Sequence, residues 1–323
     1  MLHNLQTQFW PSTVDGLSLG AIYALVALGY TMVYGVLRLI NFAHSEVFMI
    51  GTVAALFTIN HLGVSAPMGG FALIGTLILL ALVGMVFSGA TAVTLEFVAY
   101  RPLRKRGASR LAALISAIGA SLFLQQLFSV IVIPKVFHVS RAAGHLPLQA
   151  PGWVKLSDVI SIGSFVVRND KLLIIVGAVL MMIVLDQFVS RTKLGRGIRA
   201  TAQEPETAVL MGVNIDRIVT ATFLIGGAMA GVAAALFLMR FGETNYFVGF
   251  LLGIKAFTAA VLGGIGNLRG ALVGGFVLGL IEMYGSAAFG SQWQHVVAFT
   301  VLVLVLMFRP TGILGESLQR ARA

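Results

Sequence analysis

Nine apolar stretches of about spanning length succeed one another along this chain, at residues 14–37, 41–59, 70–99, 110–133, 172–190, 217–241, 248–266, 270–289 and 292–308. A helix crosses the hydrocarbon core of a bilayer on roughly 20 mostly apolar residues, and inside lipid each backbone N–H and C=O must be paired within its own segment. The expected fold is one polytopic all-α membrane domain over residues 1–323 with eight or nine spans. The second stretch is the weakest, because Asn41, His44 and Glu46 interrupt it. The third, at about 45 Å if helical, is too long for a hydrocarbon core of about 30 Å and must tilt or protrude. With 58% hydrophobic and 11% charged residues, neither a soluble domain nor a disordered chain fits. The formal charge of +10 is not that of a nucleic-acid binder, which needs a basic face on a soluble scaffold.

The positive charge is instead a topological signal. Short loops rich in Lys and Arg are retained on the cytoplasmic side during insertion. Arg101, Arg104, Lys105, Arg106 and Arg110 follow the third stretch, and Arg191, Lys193, Arg196 and Arg199 follow the fifth. Counting spans from these clusters places the N-terminus outside and the C-terminus, with Arg309, Arg320 and Arg322, in the cytoplasm. The first Lys or Arg is Arg38, after the first stretch, so that stretch is expected to stay as a span rather than act as a signal peptide. The main external surface is loop 134–171, with Pro134, Pro147, Pro151 and Trp153, which suits a short interfacial helix or a docking surface. Residues 20–25 resemble residues 231–236, five spans on. An odd offset makes a true repeat inverted, a recurring transporter construction, although small residues also recur simply for close helix packing.

The cytoplasmic loop 191–216 carries its own helix signals. Pro205 suits a first helical position, Glu206 favours the positive helix end, and Gly212 suits a stop, giving about two turns with Ala208 and Met211 on one side. A helix this short is marginal alone and needs something to pack on. Either it rests on its own bundle or it docks a cytoplasmic protein. Glu206-Thr207-Ala208, three residues, then Gly212 resembles the EAA loop of binding-protein-dependent ABC importers, with Thr207 in place of an alanine.

Longer stretches carry a closer resemblance. They are Asp15-Gly16-Leu17-Ser18-Leu19-Gly20-Ala21-Ile22-Tyr23-Ala24-Leu25, Gly29-Tyr30-Thr31-Met32-Val33-Tyr34-Gly35 and Ile40-Asn41-Phe42-Ala43-His44. Tyr100-Arg101-Pro102-Leu103-Arg104, residues 255–267 and Phe308-Arg309-Pro310-Thr311-Gly312 belong to the same set. Together they resemble the LivH-type permeases of branched-chain amino acid ABC importers along nearly the whole chain, with Ser45 where a glycine is expected. The resemblance implies a multi-pass protein of the bacterial cytoplasmic (inner) membrane that moves leucine, isoleucine or valine inward. Related permeases carry urea, short amides or other amino acids. It also implies a second homologous permease, two ATP-binding subunits and a periplasmic or surface-tethered solute-binding protein. Glu204, Pro205, Glu206, Thr207, Ala208, Met211 and Gly212 would then couple the permease to the ATPases.

No Gly-x4-Gly-Lys-Ser/Thr loop occurs, and Gly264-Ile265-Gly266 lacks the lysine and strand that phosphate binding needs. ATP and magnesium are therefore expected on partner subunits, with no cofactor in this chain. There is no cysteine and no His-Glu-x-x-His motif, so no metal site is expected. Gly16-Leu17-Ser18-Leu19-Gly20 matches the pattern of nucleophilic serines, with His44 or His295 as base, but lies in an apolar helical stretch where small residues serve packing. The chain is expected not to be an enzyme. Ionisable groups inside spans are costly and default to functional roles. Lys255 and Glu282 lie roughly 10 and 12 Å from the external side and can pair, whereas Glu46, roughly 8 Å from the cytoplasmic side, is a poor partner. The pair either satisfies itself or lines the transport path. Asn41, His44 and Glu46 form an interfacial cap or a broken helix at a gate. Gly263, Gly264 and Gly266 provide close contact or unwinding. An ion-coupled carrier using Glu46, Lys255 and Glu282, or a facilitative channel for a solute such as urea, is the alternative reading.

Overall fold

The computed structural model describes residues 8–64, 66–162, 165–309 and 311–315. Each of the nine apolar stretches is a helix: α1 Phe9–Leu37, α2 His44–His61, α3 Gly70–Lys105, α4 Arg110–Val136 and α5 Asn169–Arg191. After the polar helices α6 Lys193–Gln203 and α7 Pro205–Leu210 come α8 Ile215–Phe241, α9 Val248–Gly263, α10 Leu268–Phe289 and α11 Gln294–Phe308. Seven of the nine are long and apolar enough to cross a membrane, α11 being counted with the 3₁₀ turn Ser291–Trp293 before it. The other two are α2, weakened by its polar first turn, and α9, which at 16 residues is only about 24 Å long. The long third stretch is longer still as a helix, about 54 Å, so it tilts or protrudes. Helix α3 runs 36 residues and ends in the basic run Arg101–Lys105. Arg320 and Arg322 lie outside the described residues.

Helices α1 and α8 are apolar all round and sit almost wholly inside the protein, as such helices must when they do not face lipid. Their closest partners are crossed between the halves: α1 packs on α10, and α8 packs on α3. Glycines permit both approaches. A Cβ on Gly16 would lie 2.8 Å from Leu280 Cα, and one on Gly20 2.7 Å from the Gly275 carbonyl. On the other seam a Cβ on Gly84 would meet the Gly231 carbonyl at 2.5 Å, and Gly227 would meet the Ser88 carbonyl at 2.8 Å. The first and third helices are thus paired with the eighth and sixth of the nine, so that each helix and the one five further on play matching parts. It also accounts for Gly16 and Gly20 beside Ser18 as packing residues on α10 rather than parts of a hydrolytic elbow.

Gly231→Leu is expected to abolish recovery of folded protein, because the backbone of α3 cannot retreat from the added side chain. Gly75→Ala, where nothing lies within 4 Å, is expected to raise stability by about 0.5–1 kcal/mol. Size-exclusion profiles and thermal melts in detergent read both effects.

Among its described residues, loop 134–171 holds no free helix. It contains a 3₁₀ turn at Ala143–His145, a two-residue strand β1 Leu148–Gln149 and a hairpin of β2 Asp158–Ile162 with β3 Phe165–Arg168. Strand β1 pairs antiparallel with β4 Glu243–Thr244 just after α8, and Met68 pairs with Val154, so the loop is laced onto the bundle.

Candidate functional site

At the basic end, α6 and α7 form a bent arm. Glu204 is extended (φ −145°, ψ 96°) between them, Pro205 takes the first position of α7, and Gly212 leaves the turn at φ +82°, a conformation that suits glycine. The Arg38 guanidinium, at the end of α1, donates to the carbonyls of Ala202 (3.4 Å) and Gln203 (3.2 Å) and so ties the arm to the bundle. Ala208 is buried, while Val209, Leu210 (86% exposed) and Met211 (80% exposed) face outward. Ala208 and Met211 therefore do not share a side, contrary to the sequence expectation. The helix stops at Leu210, so Met211 lies in the turn beyond it and swings away. The arm rests on its own bundle through Ala208 and offers an apolar tip on the opposite face. Glu204, Glu206 and Thr207 are exposed around that tip.

Between α1 and α2 the chain is non-helical around Arg38, whose φ is +52°. Asn41, His44 and Glu46 are all buried, with exposures of 2%, 1% and 0%. Asn41 lies in the connection before α2, and His44 and Glu46 lie in its first turn, all three facing the protein interior and not water. The Tyr100 hydroxyl donates to Asn41 Oδ1 at 2.7 Å. The His44 ring packs edge-on against Tyr30 with centroids 4.8 Å apart, over Gly29, where a Cβ would strike it. Glu46 Oε1 accepts from Ser45 Oγ (3.1 Å), Ser121 Oγ (3.0 Å) and Gln125 Nε2 (2.9 Å). Ser45, standing where a glycine is expected, is accommodated by Gly249 and Gly253 of α9.

Lys255 and Glu282 pair as their depths predict, with Nζ to Oε2 at 3.0 Å. Two further groups complete the cluster. The Tyr23 hydroxyl donates to Glu282 Oε2 at 3.0 Å and accepts from Lys255 Nζ at 3.1 Å, and Gln294 Nε2 donates to the same Oε2 at 3.0 Å. Glu46 takes no part in it. Tyr23 sits inside a motif that the sequence made prominent, but nothing in its spacing points to α10. Gly263 ends α9, and Gly264 (φ +106°) and Gly266 (φ +98°) form the turn into α10, so the glycine run closes a connection instead of breaking a span. It also allows residues 311–315 to approach: Ile313 N–H donates to Leu262 O (2.8 Å) and Leu314 N–H to Gly263 O (3.0 Å).

Glu96, like Asp170, is a buried charge that sequence reading passed over. It lies in a π turn, Glu96–Tyr100, whose five-residue repeat carries Arg101 round to the same face. Arg101 and Arg104 bind its two oxygens at 3.0 and 3.1 Å, and Arg104 also reaches Asp216 at 2.6 Å. The signal was present in the two arginines that follow it. At the opposite end Asp15 binds Lys171 (2.7 Å) and Arg240, and Arg240 also hydrogen-bonds Ser18.

A family profile described as "Branched-chain amino acid transport system / permease component" matches residues 12–306. The high-affinity branched-chain amino acid transport system permease protein BraD of Pseudomonas aeruginosa is 45% identical over 304 residues, 94% of this chain and 94% of that protein. The corresponding permease LivH of Escherichia coli K12 is 40% identical over 322 residues, 98% of this chain and 96% of its own.

Proposed function

Because the chain belongs to the branched-chain amino acid transport permease family, we propose that it is the membrane subunit of an ABC importer carrying leucine, isoleucine or valine inward. The observation that carries the substrate reading is 45% identity along 94% of a permease of that name. In this reading the basic end, with Arg101, Arg104, Lys105 and Arg106, faces the cytoplasm of a bacterial inner membrane, with the N-terminus outside and the C-terminus inside. Two ATP-binding subunits, holding ATP and magnesium, seat the arm from Glu204 to Gly212. A second homologous permease completes the pathway, and a solute-binding protein delivers from the side of loop 134–171.

The apolar tip at Val209, Leu210 and Met211 supports the coupling role, since an exposed apolar knob carried on a built turn calls for a groove to cover it. Asn41, His44, Glu46, Lys255, Gly263, Gly264 and Glu282 are assigned to the translocation path or gate. The burial of Asn41, His44, Glu46, Lys255 and Glu282 between helices supports that assignment. The ion-coupled carrier is not favoured, because the family profile and the relatives at 45% and 40% identity are all permease components of branched-chain amino acid transport systems. Proteoliposomes test the proposal. ATP-driven leucine uptake is expected only when permeases, ATPases and binding protein are all present. Uptake against a gradient by this chain alone would overturn it.

A further inference from the structure

A cleft of about 330 Å³ opens at the basic end between the end of α1, the start of α4 and the arm, with Pro205 on its wall. Val36, Leu103 and Val219 give it apolar sides, and Arg104, Arg110 and Thr201 line it as well. Two polar atoms in this wall are left unpaired among the described residues. Thr201, only 2% exposed, has no partner for its Oγ1, and Arg104 spends Nη2 on Glu96 and Asp216 while Nη1 bonds nothing. A buried donor left unmade costs about 1–3 kcal/mol, so both atoms, which lie just behind the wall with almost no accessible surface, would gain from an acceptor that a side-chain rotation admits.

The charge balance selects the occupant. Both charged side chains in the lining, Arg104 and Arg110, are cations, and Arg101, Lys105 and Arg106 neighbour them in the sequence. Glu96 and Asp216 are already committed to Arg101 and Arg104, while Glu204 and Glu206 are exposed and do not line the cleft. A free amino acid would find a place for its carboxylate but no free carboxylate for its ammonium group. Inorganic phosphate would leave the apolar walls facing water. An anion with an apolar tail satisfies both halves of the lining.

We infer that this cleft binds one anionic phospholipid, its phosphate on Arg104, Arg110 and Thr201 and part of an acyl chain along Val36, Leu103 and Val219. Basic pockets between helix ends are suited to such headgroups. The lipid would pack beneath Pro205 and so help set where the arm stands.

Native mass spectrometry of the full-length chain, released from nanodiscs of mixed dioleoyl-phosphatidylglycerol and dioleoyl-phosphatidylcholine, tests this without any ATPase. A negative result therefore leaves the importer reading untouched. The wild-type chain is expected to keep one phosphatidylglycerol through detergent washing that strips phosphatidylcholine. Arg110→Ala, at an exposed position, is expected to weaken retention by about fivefold. Thr201→Val, nearly isosteric, is expected to weaken it with no change in melting temperature. Equal retention of the two lipids, or unchanged retention in both variants, would overturn the inference. So would full displacement by inorganic phosphate, which would remove the tail from recognition, or by leucine, which would make the cleft an amino-acid site.

Discussion

Leu210→Glu and Met211→Glu are each expected to cut ATP-driven uptake by about 30-fold or more and to abolish copurification of ATPase subunits. Both side chains are exposed, so the melting temperature should not move. A truncated or charged anchor at the centre of an interface costs about 2 kcal/mol or more, which is a factor of about 30 in affinity. Ala208→Glu is expected to behave differently, lowering the melting temperature, because its side chain faces the bundle. Unchanged uptake in both exposed variants would remove α7 as the coupling element.

Lys255→Met is expected to destabilise the protein by about 3–5 kcal/mol, because it leaves Glu282 charged, buried and without its cation. The double variant Lys255→Met with Glu282→Gln removes both charges and is expected to recover most of that loss. A thermal melt of the two variants beside wild type reads the difference. Uptake by the double variant then separates two roles. If the pair belongs to the gate, uptake stays low although the fold is restored. Uptake at the wild-type rate would make the pair a strut that closes α9 on α10.

All nine helices were legible because lipid allows so few ways to pair a backbone, and their ends fell within a few residues of the expected places. The Lys255–Glu282 pair was legible for a related reason: depth along a helix can be counted from the sequence. What could not be read were contacts between distant segments. Tyr23 and Gln294 join the pair from helices on either side, and no local pattern announces them. The Ala208–Met211 face failed because helical spacing was extended one residue past the stop. Glu96 was missed because a π turn changes the residue spacing from four to five, and apolar counting assumes the former. Loop 134–171 is laced down by β1 on β4 and Val154 on Met68, pairings with residues far away in the chain that composition does not report.

The crossed packing of α1 on α10 and α8 on α3 governs how the chain is born. Helix α1 leaves the ribosome some 230 residues before α10 begins, which at about 5–20 residues per second is a wait on the order of tens of seconds. Through that interval α1 can pack on α5, α8 and α9 as they emerge, but its glycine seam stays open until α10 arrives, so a chain cut short before α10 is expected to leave that seam uncovered and to be a substrate for proteolysis.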